Sequence, residues 1–139
     1  MSIDPDVVRK IGLKPGMRVL LLNAPADYAI GLDRLVPDAT VSSTDGDGFF
    51  EAEAFDLVQL FCANRADLER LGEAAVAAVR PGGRLWVSYP KGGSGVETDL
   101  SRDVDWGPLR AAGWRAVTQV AIDPIWSALR FRPAEEVGR

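Results

Sequence analysis

Apolar and polar residues follow two patterns along this chain. Short apolar runs, such as MRVLLL at 17–22 and FDLVQLFC at 55–62, are typical of strands buried on both faces of a sheet. Elsewhere apolar residues recur at helical spacing, as Leu68, Leu71 and Ala75 do. The predicted strands are 17–22, 39–44, 55–62, 85–89, 114–122 and 125–132, and the predicted helices are 5–11, 25–35, 65–79 and 106–112.

Residues with special backbone preferences support these boundaries. Asp4 and Asn64 are placed as N-caps, and Asp67 stands three residues after Asn64 in the position of a capping-box acid. Gly12 is placed where the first helix ends, and the run Arg80-Pro81-Gly82-Gly83 predicts a turn between the third helix and the next strand.

The order of the elements predicts the fold class. Strands and helices alternate for most of the chain, and the last two strands have only a short turn between them. This order indicates an α/β, three-layer Rossmann-like sandwich with a mostly parallel sheet and a C-terminal antiparallel hairpin. The partly polar strand 39–44 suits a sheet edge. We expect residues 1–139 to form a single domain, with a frayed tail from about residue 133.

Composition then excludes several kinds of chemistry. The chain has no histidine, which removes Ser-His-Asp and Cys-His nucleophile systems and the usual zinc sites, and we expect no metal. The lone Cys62 excludes an internal disulfide and is expected to be a buried small hydrophobe. The net charge is −4 and the basic residues are scattered, so nucleic acid is not an expected partner. Without a membrane-spanning apolar run or a signal-like N-terminus, the chain is expected to be cytoplasmic.

A glycine-rich loop follows the strand 85–89. Pro90 ends that strand, and Lys91-Gly92-Gly93-Ser94-Gly95 places a cation, a hydroxyl and flexible backbone where ligands gather in open α/β sheets. Three interpretations remain open: an anion site, a serine activated by Lys91, or an ordinary surface turn. Thr98 and Asp99 follow the loop and are either ligand contacts or local turn-formers.

Several segments also resemble a known superfamily. The runs LKPGMRVLLLNAP, FDLVQLF, AAVAAVRPGGRLWVSYP, RAAGWRAV and WSALRFRP resemble successive core segments of class I S-adenosylmethionine-dependent methyltransferases. More narrowly, NAPADYAIGL, SYPKGGSGVETDLSRD and VAIDPIWSALRFRP resemble a family of short bacterial proteins of unknown function with a truncated form of that fold. The resemblance implies the methyltransferase-like fold, and it does not imply an activity.

Two departures from the superfamily pattern bear on the cofactor. The turn after the first strand is Asn23-Ala24-Pro25 where the superfamily usually has glycines, so side chains crowd the approach of S-adenosylmethionine. Asp45 could take the place of the acid that contacts the ribose hydroxyls. Only residues 45–54 separate the second and third strands, too few for a strand with its crossover helix, so the sheet is expected to be one strand short. We therefore expect no cofactor, and S-adenosylmethionine is disfavoured.

The functional hypothesis is a noncatalytic domain that binds a small anionic or nucleotide-like ligand. The candidate ligand-binding residues are Asn23, Asp45, Lys91, Ser94, Thr98 and Asp99, which are expected to converge at one end of the sheet. One alternative is a methyltransferase with an atypical cofactor turn. Another is a homodimer that associates through the shortened side of the sheet, where Phe49 and Phe50 or a second chain would cover the edge.

Overall fold

The computed structural model describes residues 3–46, 51–102 and 104–136. The strands are β1 (Arg18–Leu22), β2 (Thr40–Thr44), β3 (Phe55–Phe61), β4 (Val79–Pro90), β5 (Trp114–Ala121) and β6 (Trp126–Pro133). The helices are α1 (Pro5–Ile11), α2 (Ala26–Leu35), α3 (Arg65–Ala78) and α4 (Gly107–Ala111), followed by a 3₁₀ turn at Ala134–Glu136.

One six-stranded sheet in the order β2-β1-β3-β4-β6-β5 organises the fold. The first four strands in this order are parallel, and β6 pairs antiparallel with both β4 and β5. The predicted fold class, including the C-terminal hairpin and the edge position of β2, is confirmed. After β1 the chain moves to β2 on one side and then returns to β3 on the other, so the topological switch point lies between β1 and β3.

Helices cover both faces of the sheet because the central strands are apolar on both sides. On one face, Val19, Leu21 and Trp86 pack with residues of α1 and α2. On the opposite face, Leu20 and Leu60 pack with residues of α3 and α4. Burying a large aliphatic side chain contributes about 1.5–3 kcal/mol, so these two layers supply most of the stabilisation.

A polar chain runs through the first of these layers. The Tyr28 hydroxyl donates to Gln59 Oε1 at 2.7 Å, and Gln59 Nε2 donates to Ser88 Oγ at 3.0 Å. All three side chains are buried. Each polar atom therefore gains a partner that offsets its loss of water.

The predicted cap of α3 is confirmed, because Asn64 Oδ1 accepts from the Asp67 N–H at 3.0 Å. The predicted turn at residues 80–83 is corrected: it lies within β4, as an irregularity where residues 80–83 stand opposite Asp56 alone. The last helix begins at Gly107 rather than directly after Asp105. At the C-terminus, β6 ends at Pro133 and the Ala134 N–H donates to the Gly113 carbonyl at 2.7 Å, and residues 137–139 of the predicted frayed tail lie outside the described residues.

Candidate functional site

Asn23 lies at the carboxyl end of β1, beside the switch point. Its backbone has a positive φ of 62°, and its N–H donates to the Thr44 carbonyl at 2.7 Å. Asparagine is among the few residues that adopt this conformation readily. The side chain turns across the strand ends, and Nδ2 donates to the Phe61 carbonyl at 3.0 Å and to Asp67 Oδ2 at 3.4 Å. Asn23 thus ties β1 to β3 and to the first turn of α3.

Asp67, in the first turn of α3, accepts further contacts besides the one from Asn23. Its Oδ2 also accepts from the Ala63 N–H at 2.9 Å, and its Oδ1 pairs with Arg70 Nη2 at 3.5 Å. A carboxylate in the first turn of a helix is additionally stabilised by the helix dipole. We call Asn23, Asp67, the Phe61 carbonyl and the Ala63 N–H the switch-point cluster; it spans the crevice where an open α/β sheet usually holds a ligand.

The loop after β2 packs onto the same helix. Arg70 Nη1 donates to the Asp45 carbonyl at 3.1 Å. Gly46 has a φ of 102°, and a Cβ at this position would lie 2.3 Å from Leu71 Cδ2. Asp45 itself is exposed, and Asp47 with the two phenylalanines that follow lies outside the described residues. Residues 45–46, which include the predicted ribose acid, are therefore held against α3.

The glycine loop makes mostly local hydrogen bonds. The Lys91 N–H donates to the Ile125 carbonyl at 2.7 Å, which anchors the start of the loop to the hairpin. Beyond it, the Ser94 N–H donates to the Lys91 carbonyl at 3.2 Å, and Thr98 Oγ1 accepts from the Leu100 N–H at 3.1 Å. These are the contacts of a folded turn, and they leave the loop standing beyond the end of β4.

An open cleft of about 550 Å³ lies between this loop and the start of α3. We call it the glycine-loop cleft. Asp99 joins its two walls, because Asp99 Oδ1 accepts from the Arg65 N–H at 2.7 Å. Within the described part of the chain, the side chains that line it include two carboxylates and no arginine or lysine. Its lining residues are Asn64, Gly92, Gly93, Val96, Glu97, Thr98 and Asp99.

The structure brings only some of the candidate residues together. Thr98 and Asp99 line the glycine-loop cleft, whereas Asn23, Asp45, Lys91 and Ser94 are not among its described lining residues. The loops after β1 and β4 were expected to be direct neighbours. They are not, because β3 lies between those two strands. Ligand binding by any candidate residue stays a prediction.

The sequence did not indicate two polar residues of this cleft, Asn64 and Glu97. The sequence pattern around Asn64 predicts only a helix cap. Asn64 lies three residues after the end of β3, and β3 is the sheet neighbour of β4, whose end carries the glycine loop. A sheet order with those two strands adjacent would have pointed to this position.

Two other predicted residues are buried packing groups. Cys62 is fully buried, and burial, followed by the nearby Asp67 carboxylate, raises the pKa of its thiol, which opposes a nucleophilic role. Trp106 is 5% exposed and packs against the rings of Tyr89 and Phe131 at centroid distances of 5.7 Å. From the sequence alone Trp106 could either cover a pocket or pack at the first turn of a helix, and the structure favours packing.

The fold is that of S-adenosylmethionine-dependent methyltransferases, in a shortened form. A SAM-dependent methyltransferase from Aquifex aeolicus aligns with a TM-score of 0.64 and 18% identity, over 93% of this chain and 89% of that chain. A TehB-like SAM-dependent methyltransferase from Corynebacterium glutamicum aligns with a TM-score of 0.55 and 11% identity, over 93% and 86%. The [4+2]-cyclase SpnF aligns with a TM-score of 0.57 and 15% identity, over 93% and 79%. Identities this low establish the fold alone.

The chain matches no protein-family model and no curated protein sequence. Among the helices that the structure describes, none has the length and apolar character needed to cross a membrane. The cytoplasmic location stays a prediction.

Proposed function

We propose that this protein is a noncatalytic methyltransferase-like domain that binds a small nucleotide-like ligand in the glycine-loop cleft. The observation that carries the proposal is the switch-point cluster. Asn23 and Asp67 bond to each other and to the backbone of β3 at the place where this fold usually receives a ligand. A ligand is then better accommodated in the open cleft one strand further along the sheet.

The residues at the switch point do not fit S-adenosylmethionine well. The cofactor would have to displace the Asn23 side chain from the Phe61 carbonyl and from Asp67. Breaking hydrogen bonds of this kind costs about 1.5–3 kcal/mol where a charged group takes part. Pro25, the N-cap of α2, adds a locked ring where a glycine would leave space.

The cleft offers complementary groups for a nucleotide-like ligand. The carboxylates of Glu97 and Asp99 can accept hydrogen bonds from ribose hydroxyls, and the Thr98 hydroxyl can donate or accept. Lys91 is not itself in the lining, but it directly precedes Gly92, so its long side chain can extend toward an anionic group bound at the glycine end of the cleft. A phosphate alone would meet the two carboxylates without the compensating hydroxyl contacts.

Titration by NMR with adenosine 5′-monophosphate, adenosine and inorganic phosphate tests the proposal. With adenosine 5′-monophosphate we expect saturable chemical-shift changes at Gly92, Gly93 and Thr98. Adenosine alone and phosphate alone should each bind more weakly. Lys91→Ala and Thr98→Val should each weaken nucleotide binding by about tenfold, whereas Thr118→Val on β5 should leave it unchanged. Shifts confined to other surfaces would contradict the proposal.

The edge position of β2 favours a second candidate, association of two copies. Among the described residues β2 has one sheet neighbour, β1, and a groove of about 450 Å³ lies beside it. The groove is lined by Arg18, Leu20, Ser42, Ser43, Thr44, Glu51 and Phe55. An exposed strand edge is a template for pairing with another chain. Light scattering at high concentration tests this candidate, and a monomer would exclude it.

A further inference from the structure

Arginines from three neighbouring strands lie side by side on the sheet face that carries α1. In the register of the hairpin, Arg132 on β6 stands directly opposite Arg115 on β5. The pairing of β4 with β6, which sets Leu85 opposite Phe131, continues to place Arg84 beside Arg132. Arg130 lies two residues along β6 on the same face, because side chains alternate along a strand. We call these four residues the arginine row.

Little in the described structure neutralises these charges. Arg132 Nη2 approaches Glu136 Oε1 at 3.4 Å. Arg84 and Arg130 make no hydrogen bond or ion pair with any described residue, and the Arg130 Nε atom is shielded from solvent without a partner. Burial, together with the nearby Arg84 and Arg132, lowers the pKa of Arg130. Like charges directly opposite each other destabilise a sheet, so this arrangement costs stability unless an anion is present.

Neighbouring groups hold the row in place. A Cβ at Gly12, the αL cap of α1, would lie 2.7 Å from the Arg84 guanidinium carbon, so the Arg84 side chain rests against that cap. Trp86, opposite Arg130, donates its indole N–H to the Ile11 carbonyl at 2.9 Å. The backbone beneath the row is therefore fixed by the sheet and by a buried indole.

We propose that the arginine row binds a compact, multiply charged anion of phosphate chemistry. Guanidinium groups match phosphate oxygens with paired hydrogen bonds, and side chains opposite each other on paired strands are only about 4.5–5.5 Å apart at Cβ. The row is confined to one patch, and the other basic residues are scattered over a chain with a net charge of −4. This distribution favours a small anion over a polynucleotide, which needs an extended basic surface.

This site is distinct from the glycine-loop cleft. Arg84 precedes Pro90 by six residues along β4, and a strand rises about 3.3 Å per residue, so the two sites lie roughly 20 Å apart. Loss of binding at one site therefore need not affect the other site, and the effects of variants in the two regions can be measured separately.

Calorimetric titration with pyrophosphate at low ionic strength tests the proposal. We expect saturable binding that Arg130→Gln weakens by tenfold or more and Arg130→Lys weakens less, with Arg34→Gln on α2 as the unaffected control. Competition by adenosine 5′-diphosphate would identify a phosphorylated compound as the source of the anion, and failure to compete would identify a free anion. The absence of saturable pyrophosphate binding at about 1 mM, or equal affinities for native and Arg130→Gln protein, would overturn the proposal.

Thermal unfolding gives a second measurement that does not depend on affinity. Without an anion, Arg84→Gln and Arg130→Gln should each raise Tm, because each removes one of the opposed positive charges. Pyrophosphate should raise the Tm of the native protein and have a much smaller effect on Arg130→Gln. A lower Tm for both variants, with no effect of pyrophosphate on the native protein, would show that the row is structural. Binding of single-stranded RNA without binding of pyrophosphate would also contradict the small-anion proposal.

Discussion

The switch-point cluster and the glycine loop lie at the same end of the sheet, one strand apart, and use polar residues differently. In the cluster, Asn23 and Asp67 bond to groups that are distant in the sequence. In the glycine loop, Ser94 and Thr98 bond to residues two or three positions away, and an open cleft lies beside them. The first region joins elements of the fold, whereas the second leaves polar groups facing solvent.

This difference indicates where a ligand can bind at low cost. A ligand in the crevice between β1 and β3 must break contacts that stabilise the native state, whereas one in the glycine-loop cleft displaces only water. A shared fold therefore does not establish a shared binding position, even when most of the chain aligns with solved methyltransferases.

The largest expected effect is at Asp67. Asp67→Ala removes the acceptor for the Ala63 N–H and the Asn23 amide and should lower the free energy of unfolding by about 2–3 kcal/mol. Urea denaturation measures this change in the free energy of unfolding. Glu69→Ala, an exposed carboxylate on the same helix, is the matched control and should change stability by less than about 0.5 kcal/mol. Equal effects of the two substitutions would show that Asp67 stabilises the fold no more than an exposed carboxylate does.

A pair of glycines sharpens the comparison. Gly46→Ala places a methyl group against Leu71 at a φ of 102° and should destabilise the fold by about 1–2 kcal/mol. Gly92→Ala lies in the glycine loop, where an added Cβ has no described atom within 4 Å, and should be neutral or slightly stabilising. Thermal unfolding of both variants tests this, and similar losses would show that the loop is as constrained as the cluster.

The buried thiol next to the cluster predicts a dependence on alkaline pH. Burial raises the pKa of Cys62 in the folded state, so the unfolded chain loses its thiol proton first and stability falls as pH rises above about 8.5. At pH 9.5 the loss relative to neutral pH should be about 1.4 kcal/mol from this group. The Cys62→Ala protein should lack this contribution to the loss of stability at alkaline pH. Identical dependences of stability on pH for the native and variant proteins would refute the prediction.

The smallest expected effect on stability is at Lys91. Its backbone N–H, which Lys91→Ala keeps, makes the contact with the Ile125 carbonyl, so the free energy of unfolding should change by less than about 0.5 kcal/mol. Urea denaturation measures this. A loss above 1 kcal/mol would mean that the side chain supports the loop.

Local patterns in the sequence predicted much of this fold, and long-range pairing explains what they did not predict. The Asn64 cap and the apolar strands are encoded within a few residues, and both were identified. The contact of Asn23 with Asp67 joins residues far apart in sequence, and its formation depends on β3 lying beside β1. The arginine row has the same origin, because Arg84 and Arg132 become neighbours only through the pairing of β4 with β6.

The most direct test of the central claim is a calorimetric titration of the native protein with S-adenosylmethionine. If the switch-point cluster closes the crevice between β1 and β3, no saturable binding should occur below about 100 μM. Asn23→Gly, which removes the side chain that spans the crevice and keeps the backbone φ accessible, should bind the cofactor more tightly than the native protein does. Saturable binding of S-adenosylmethionine to the native protein with a Kd of a few micromolar would contradict the account.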